Sequence, residues 1–214
     1  MEERPTPTAG PPAAPEAAPS DRSPTSEVTI RRFRPEDADA VGRLTLSAYD
    51  AYGTIGGQYR DYLADPARRA EGCNALLVAE LDGEVVGTVT FVVPGDDAWE
   101  GPEPAPGDAS FRVLAVAPET EGYGVGRALV ERCIALAREQ GRHRIVIISM
   151  VWMSRAHGLY HSLGFTRRPD LDARFPGGDG VMFQFDLTDE APHRFPPPGP
   201  IPDEIPWFED VWAR

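Results

Sequence analysis

Residues 111–136 read FRVLAVAPETEGYGVGRALVERCIAL, and no other segment restricts the fold as tightly. An apolar run leads into three glycines, Gly122, Gly124 and Gly126, which open an amphipathic pattern of helical period that stops at Gly141. Strand, glycine turn and helix in direct succession form an α/β unit. Such a turn can also take an anion. Glycines admit close approach to backbone N–H groups, and a helix N-terminus adds about half a positive charge.

The patterns on either side extend the unit into a domain. A strand over 28–33 precedes a helix begun at Pro35, and a second, polar helix over 59–72 is interrupted near Pro66. Residues 75–93 read as two strands joined at Asp82-Gly83, a hairpin signal. After an acidic Pro/Gly-rich loop over 94–109 comes the central unit, and then a buried strand, RIVIISM. In SRAHGLYHSLGF, Ala156, Leu159, Tyr160 and Leu163 share one helical face, and a last strand covers 180–187. The order is β-α-α-β-β-β-α-β-α-β, one mixed α/β sheet domain over residues 27–188.

The two ends differ in composition. Residues 1–26 are Pro/Ala-rich without large apolar side chains, which predicts disorder. Residues 189–214 are Pro-rich but carry Phe195, Ile201, Trp207, Phe208 and Trp212, enough apolar surface to dock on the domain or across a homodimer. A net charge of −13 argues against nucleic-acid binding, and no apolar run is long enough to span a membrane, so a cytoplasmic protein is expected. Two cysteines, Cys73 and Cys133, supply neither a disulfide framework nor a zinc cluster, and no metal is expected.

Three phosphate-binding schemes use glycines as this loop does. A Walker A loop requires lysine, and all 21 basic residues here are arginine. A dinucleotide fingerprint requires Gly-x-Gly-x-x-Gly early in a βαβ unit, whereas the spacing is Gly-x-Gly-x-Gly, late in the domain. The third scheme fits. EGYGVG resembles the pyrophosphate loop of the GCN5-related N-acetyltransferases, Arg/Gln-x-x-Gly-x-Gly/Ala between a strand and a helix. LAVAP before the loop and GRALVERC after it extend the likeness. Further on, AHGLYHSLGF is similar to the family's Ala-x-x-x-Tyr-x-x-x-Gly-Phe segment through Ala156, Tyr160, Gly164 and Phe165. The element order over 27–188 also matches the family's acyl-CoA N-acyltransferase fold.

The resemblance implies direct transfer of an acetyl group from acetyl-CoA to a primary amine, with no acyl-enzyme. It assigns the backbone of Leu114, Ala115 and Val116 to the pantetheine arm and thioester. The N–H groups of Gly122, Tyr123, Gly124, Val125, Gly126 and Arg127 would hold the diphosphate, and Tyr160 would protonate the departing thiolate. Three positions depart from the family pattern. Glu121 replaces the usual Arg or Gln, Met153 replaces an asparagine for which Ser154 is the nearest substitute, and Ser162 replaces a basic residue.

The strand before the loop lacks the carboxylate that serves some members as general base. Glu80, and Asp108 at the start of that strand, are the base candidates beside a water relay. His157 and His161 lie off the apolar face and are expected to be solvated. Tyr49, Tyr52, Tyr59 and Tyr62, with Asp96, Asp97, Glu100, Glu103 and Asp108, make an aromatic and acidic surround that favours a small cationic amine. The alternative of a different class is a non-catalytic acetyl-CoA sensor or scaffold that binds a partner through the aromatic tail.

Overall fold

The computed structural model describes residues 27–53, 57–99, 104–175 and 178–188. The tails expected at 1–26 and 189–214 lie outside the described residues, as do Glu100 and Glu103. Strand β1 (Thr29–Arg32) runs into a 3-10 turn at Pro35–Asp37 and then helix α1 (Ala38–Asp50). Arg31 ties this corner together, donating to Asp37 at 2.6 and 2.8 Å and to Glu80 at 2.5 Å. The helix expected over 59–72 is two helices, α2 (Gly57–Ala64) and α3 (Pro66–Glu71). Pro66 has no N–H to continue α2, and Asp65 caps α3 by accepting from the Arg68 N–H at 3.0 Å.

Strands β2 (Ala75–Leu81) and β3 (Glu84–Val92) turn through Asp82 and Gly83, whose φ angles of 53° and 84° are those of a type I′ hairpin. Strand β4 (Asp108–Val116) precedes the glycine loop and α4 (Val125–Glu139). Gly141 ends α4 at φ 63°, with the Arg142 N–H reaching Ala137 O at 2.9 Å and the Gly141 N–H reaching Arg138 O at 3.0 Å. There follow β5 (Arg144–Met150), α5 (Ser154–Ser162), β6 (Thr166–Arg167), β7 (Ala173–Phe175) and β8 (Gly178–Asp186). The short β6 and β7 have no periodicity of their own and exist by pairing with β8.

Among the described residues the sheet has eight strands in the order β1-β2-β3-β4-β5-β8-β6 with β7 also on β8, and only the β4/β5 pair is parallel. One face carries the main core, where Val89, Phe91, Leu129, Cys133, Ile145 and Phe183 are buried with α4 and α5. A register shift after Arg112 reverses the alternation of β4, so that Val113 and Ala115, unlike Phe111, lie on the opposite face in a smaller cluster with Tyr49, Tyr62 and Leu63 from α1 and α2. The Cys133 thiol is fully buried and its pKa is pushed up by that burial, a core residue and no nucleophile.

Candidate active site

The site begins where the sheet opens. Strands β4 and β5 pair only at Asp108↔Arg144 and Ala109↔Ile145, and beyond these residues they part. The closed end is pinned by a buried ion pair, Arg144 to Asp108 at 2.6 and 3.2 Å, and Asp108 also accepts from the Ala105 N–H at 2.8 Å. Further along β4 the register against β3 shifts between Thr90↔Arg112 and Thr88↔Ala115, the signature of a bulge. Val113 sits there at φ 50°, a left-handed value that costs a β-branched residue on the order of 1–3 kcal/mol. The bulge places Arg112 and Val113 on the α1–α2 side together. Arg112 lies 5.3 Å over the Tyr62 ring, and Val113 packs in the same cluster.

Past the bulge, the Ala117 N–H donates to Val86 O at 2.9 Å, so Ala117 faces β3. By the two-residue alternation Ala115 also faces β3, while Leu114 and Val116 turn their backbone groups to the open side. That edge leads straight to the glycine loop. A 3-10 turn, Pro118–Thr120, is closed by Thr120 Oγ1 donating to Ala117 O at 2.8 Å. Gly122 (φ 88°) and Gly124 (φ 76°) then take left-handed conformations. The first helical bond of α4 runs from Ala128 N–H to Gly124 O, so the amides of Val125, Gly126 and Arg127 precede it and project from the helix end. A Cβ on Gly87 would lie 2.7 Å from Val125 Cγ1 and 3.0 Å from Leu129 Cδ1. The start of α4 is therefore pressed onto β3.

Side chains around the loop complete its electrostatics. Glu121 is exposed and ion-paired with Arg155 at 3.1 Å. Arg127 donates to Ser162 Oγ at 2.8 Å and meets Glu131 at 3.4 Å, joining α4 to α5. Tyr123 and Ser154 are exposed, Ser154 as the first residue of α5.

Tyr160 descends from α5 into a ring cage of Phe111, Phe165 and Phe183, with centroids 5.8, 5.7 and 5.5 Å away. Burial pushes its phenol pKa well above the ordinary tyrosine value, so the proton stays on. His157 is not the solvated residue expected from the helical face. It is half-buried against Phe183 at 5.2 Å and its Nε2 is 3.1 Å from Met150 O, since β8 lies under that side of α5. Glu80 is far from the glycine loop in sequence and register, opposite Thr29 at the β1 edge, and the Arg31 guanidinium holds its carboxyl below the usual range. Asp108 is at the closed end of the sheet opening, bonded to Arg144.

On the α1–α2 side of the sheet, the tyrosines expected from the sequence are joined by two arginines that pattern reading passed over. Tyr49, Tyr59 and Tyr62 pack together, with Tyr59 edge-on to Tyr49 and stacked on Tyr62, both at 6.4 Å. Two arginines border them, Arg112 and the fully buried Arg69 of α3. Arg112 is a charged residue in the otherwise apolar run SFRVLAV, and Arg69 shares a helical face with Pro66; each was visible as an irregularity. Of the loop acids, Asp96 is engaged by the Val93 and Asn74 N–H groups at 2.8 Å each, and Asp108 by Arg144. Asp97 is exposed.

Comparison with known proteins adds to this geometry. A family model described as "Acetyltransferase (GNAT) family" matches residues 38–165. A mycothiol acetyltransferase of Cellulomonas flavigena is 33% identical over 168 residues, covering 75% of this chain and 44% of that protein. One of Arthrobacter sp. is 33% identical over 146 residues, covering 65% and 43%. The chain thus spans less than half the length of these relatives. A GNAT family acetyltransferase of Brucella melitensis, solved in complex with acetyl-CoA, shares the fold with a TM-score of 0.55 at 22% identity, covering 78% of this chain and 93% of that one. The matched residues run from the start of α1, through the opened sheet and the glycine loop, to Phe165 beyond α5, and on that match the chain belongs to the GCN5-related N-acetyltransferase family.

Proposed function

We propose that the protein transfers an acetyl group from acetyl-CoA to the primary amine of a small molecule. The observation that carries the proposal is the open edge of β4 running directly into the amide-bearing end of α4. The edge offers the Leu114 and Val116 backbone to an extended amide-containing arm, in the manner of an added strand. The helix end offers the Val125, Gly126 and Arg127 N–H groups to a diphosphate, with Gly122 and Gly124 keeping side chains out of the approach. Glu121 is turned outward onto Arg155, which supports diphosphate binding by removing an inward carboxylate.

In the proposed reaction the neutral amine nitrogen attacks the thioester carbonyl carbon, with a backbone N–H such as that of Val116 stabilising the oxyanion. The carbon–sulfur bond then breaks, Tyr160 gives its proton to the sulfur, and the proton lost by the nitrogen as the amide forms returns through water to the phenolate. Burial pushes the Tyr160 pKa up, so the phenol holds its proton until the thiolate forms beside it, at some cost in acid strength. Before attack the acceptor is a small cationic amine, met by the faces of Tyr49, Tyr52 and Tyr59. Its proton leaves to water, since Glu80 and Asp108 are already bonded to guanidinium groups.

Release of free thiol from acetyl-CoA, followed across a panel of small amines, tests the proposal. Thiol release that depends on one or more amines is expected. Tight acetyl-CoA binding with no release on any amine would instead favour a cofactor sensor.

A further inference from the structure

Arg69 is fully buried, and among the described residues it is the largest side chain that is. Its Nη2 donates to Thr45 Oγ1 at 3.2 Å and to Leu63 O at 3.3 Å, while Nε and Nη1 have no hydrogen-bond partner. Among the described residues no carboxylate pairs with it. The groups that bear on its charge are Tyr62, Tyr49 and Tyr59, and a second cation, Arg112. Burial pulls its pKa down, yet a guanidinium keeps its proton across the whole physiological range. Buried charges are ordinarily paired because an uncompensated one is strongly unfavourable. Around Arg69 these groups are phenols and a second cation, Arg112, whose Nη1 donates to Ala98 O at 2.9 Å.

The cluster adjoins the proposed reaction site through β4. Val113 and Ala115, which wall the cluster, alternate with Leu114 and Val116 on the open β4 edge. We infer that Arg69, with Arg112 beside it, receives a carboxylate carried by the acceptor, so that the substrate is a small zwitterion with amine and carboxylate on one skeleton. This rests on the acetyl-transfer reading above and narrows its acceptor. A carboxylate suits the place better than a phosphate. It is the smaller oxyanion, it brings one negative charge, and Arg69 is closed off from bulk water. Tyr59, half-buried and stacked on the buried Tyr62, is the least covered of the three packed rings, so entry is expected past it.

Matched acceptors test the inference: a set of amino acids, the corresponding amino-acid amides, and the corresponding decarboxylated amines, assayed by thiol release. Carboxylates should exceed their amides in kcat/KM by at least 10-fold, and Arg69→Met and Arg112→Gln should each erase most of that ratio. Thermal midpoints accompany the assay. If Arg69 is held in reserve for an anion, Arg69→Met should melt at or above the wild-type midpoint, because it removes an uncompensated buried charge. Acetate, compared with chloride at equal ionic strength, should raise the wild-type midpoint and leave that of Arg69→Met unchanged. Equal rates on carboxylates and amides would overturn the anion site. So would a large fall in the midpoint of Arg69→Met with no acetate response in the wild type. If no amine releases thiol, the transfer reading fails instead, and the acetate comparison alone then decides the anion site.

Discussion

The ring of Tyr160 stands edge-on to Phe111, with centroids 5.8 Å apart and planes inclined by 61°. The phenol is thereby fixed by ring packing, and among the described residues its hydroxyl makes no hydrogen bond whose loss would unfold anything. Tyr160→Phe should keep the packing and lower kcat by about 10- to 100-fold, a modest factor because a thiolate is a fair leaving group. Steady-state kinetics together with a thermal melt check it. An unchanged kcat removes the acid role, and a lost melting transition would show that the hydroxyl is structural.

Glu121 places a negative charge beside the proposed diphosphate site and is held off by Arg155. Both side chains are exposed, so the pair contributes little to stability. Glu121→Gln should lower KM for acetyl-CoA a few-fold at low ionic strength, and the gain should fade as salt screens the loop. A KM that ignores both the substitution and the salt would show that the carboxylate does not face the cofactor.

Gly87 bears on the same loop from below. A methyl group there would meet Val125 and Leu129 at 2.7 and 3.0 Å, and overpacking of that kind costs about 1–3 kcal/mol. Gly87→Ala should displace the start of α4, raising KM for acetyl-CoA more than it lowers kcat. A variant with wild-type stability and KM would mean that α4 yields without moving its amides.

The Arg31–Asp37 bond predicts an acid-side loss of stability. Hydrogen bonding to Arg31 holds the buried Asp37 carboxyl below its ordinary value of 3.8, so the native state binds fewer protons there than the unfolded chain. The stabilisation is present in full above that ordinary value and is lost as pH falls through the depressed native one. Asp37→Asn should cost about 1–3 kcal/mol at neutral pH and flatten the acid limb of a denaturation-versus-pH curve. An acid limb identical to wild type would assign the effect to other carboxylates.

Sequence patterns reached the elements that carry their own periodicity. The strand–glycine–helix unit, the hairpin at Asp82-Gly83 and the helix of Tyr160 each announce themselves locally, through alternation, turn chemistry or a shared face. What local patterns do not carry is pairing across distance. Asp108 reads as a loop acid until Arg144, from the next strand, is brought against it. Arg69 reads as part of a polar helix, DPARRAEG, until α1 and α2 close over it. The acidic surround suggested by composition changes for the same reason, because Asp96 and Asp108 are engaged within the fold, while Arg69 and Arg112 border the tyrosines. Strands β6 and β7 are two and three residues long, too short for any period to register.

The bulge at Val113 carries a last consequence, which concerns chain length rather than chemistry. One additional residue on β4 reverses the alternation of side chains along the rest of that strand. Deleting that residue would remove the left-handed valine and regularise the strand, and the pairing of Ala115 with Thr88 could be kept, so Leu114 and Val116 would still face away from β3. What would go is the bend, because a bulge kinks its strand and adds twist. A straightened β4 is expected to stay beside β5 for longer, so the counting of residues in a single strand governs how widely the sheet parts at the proposed thioester site.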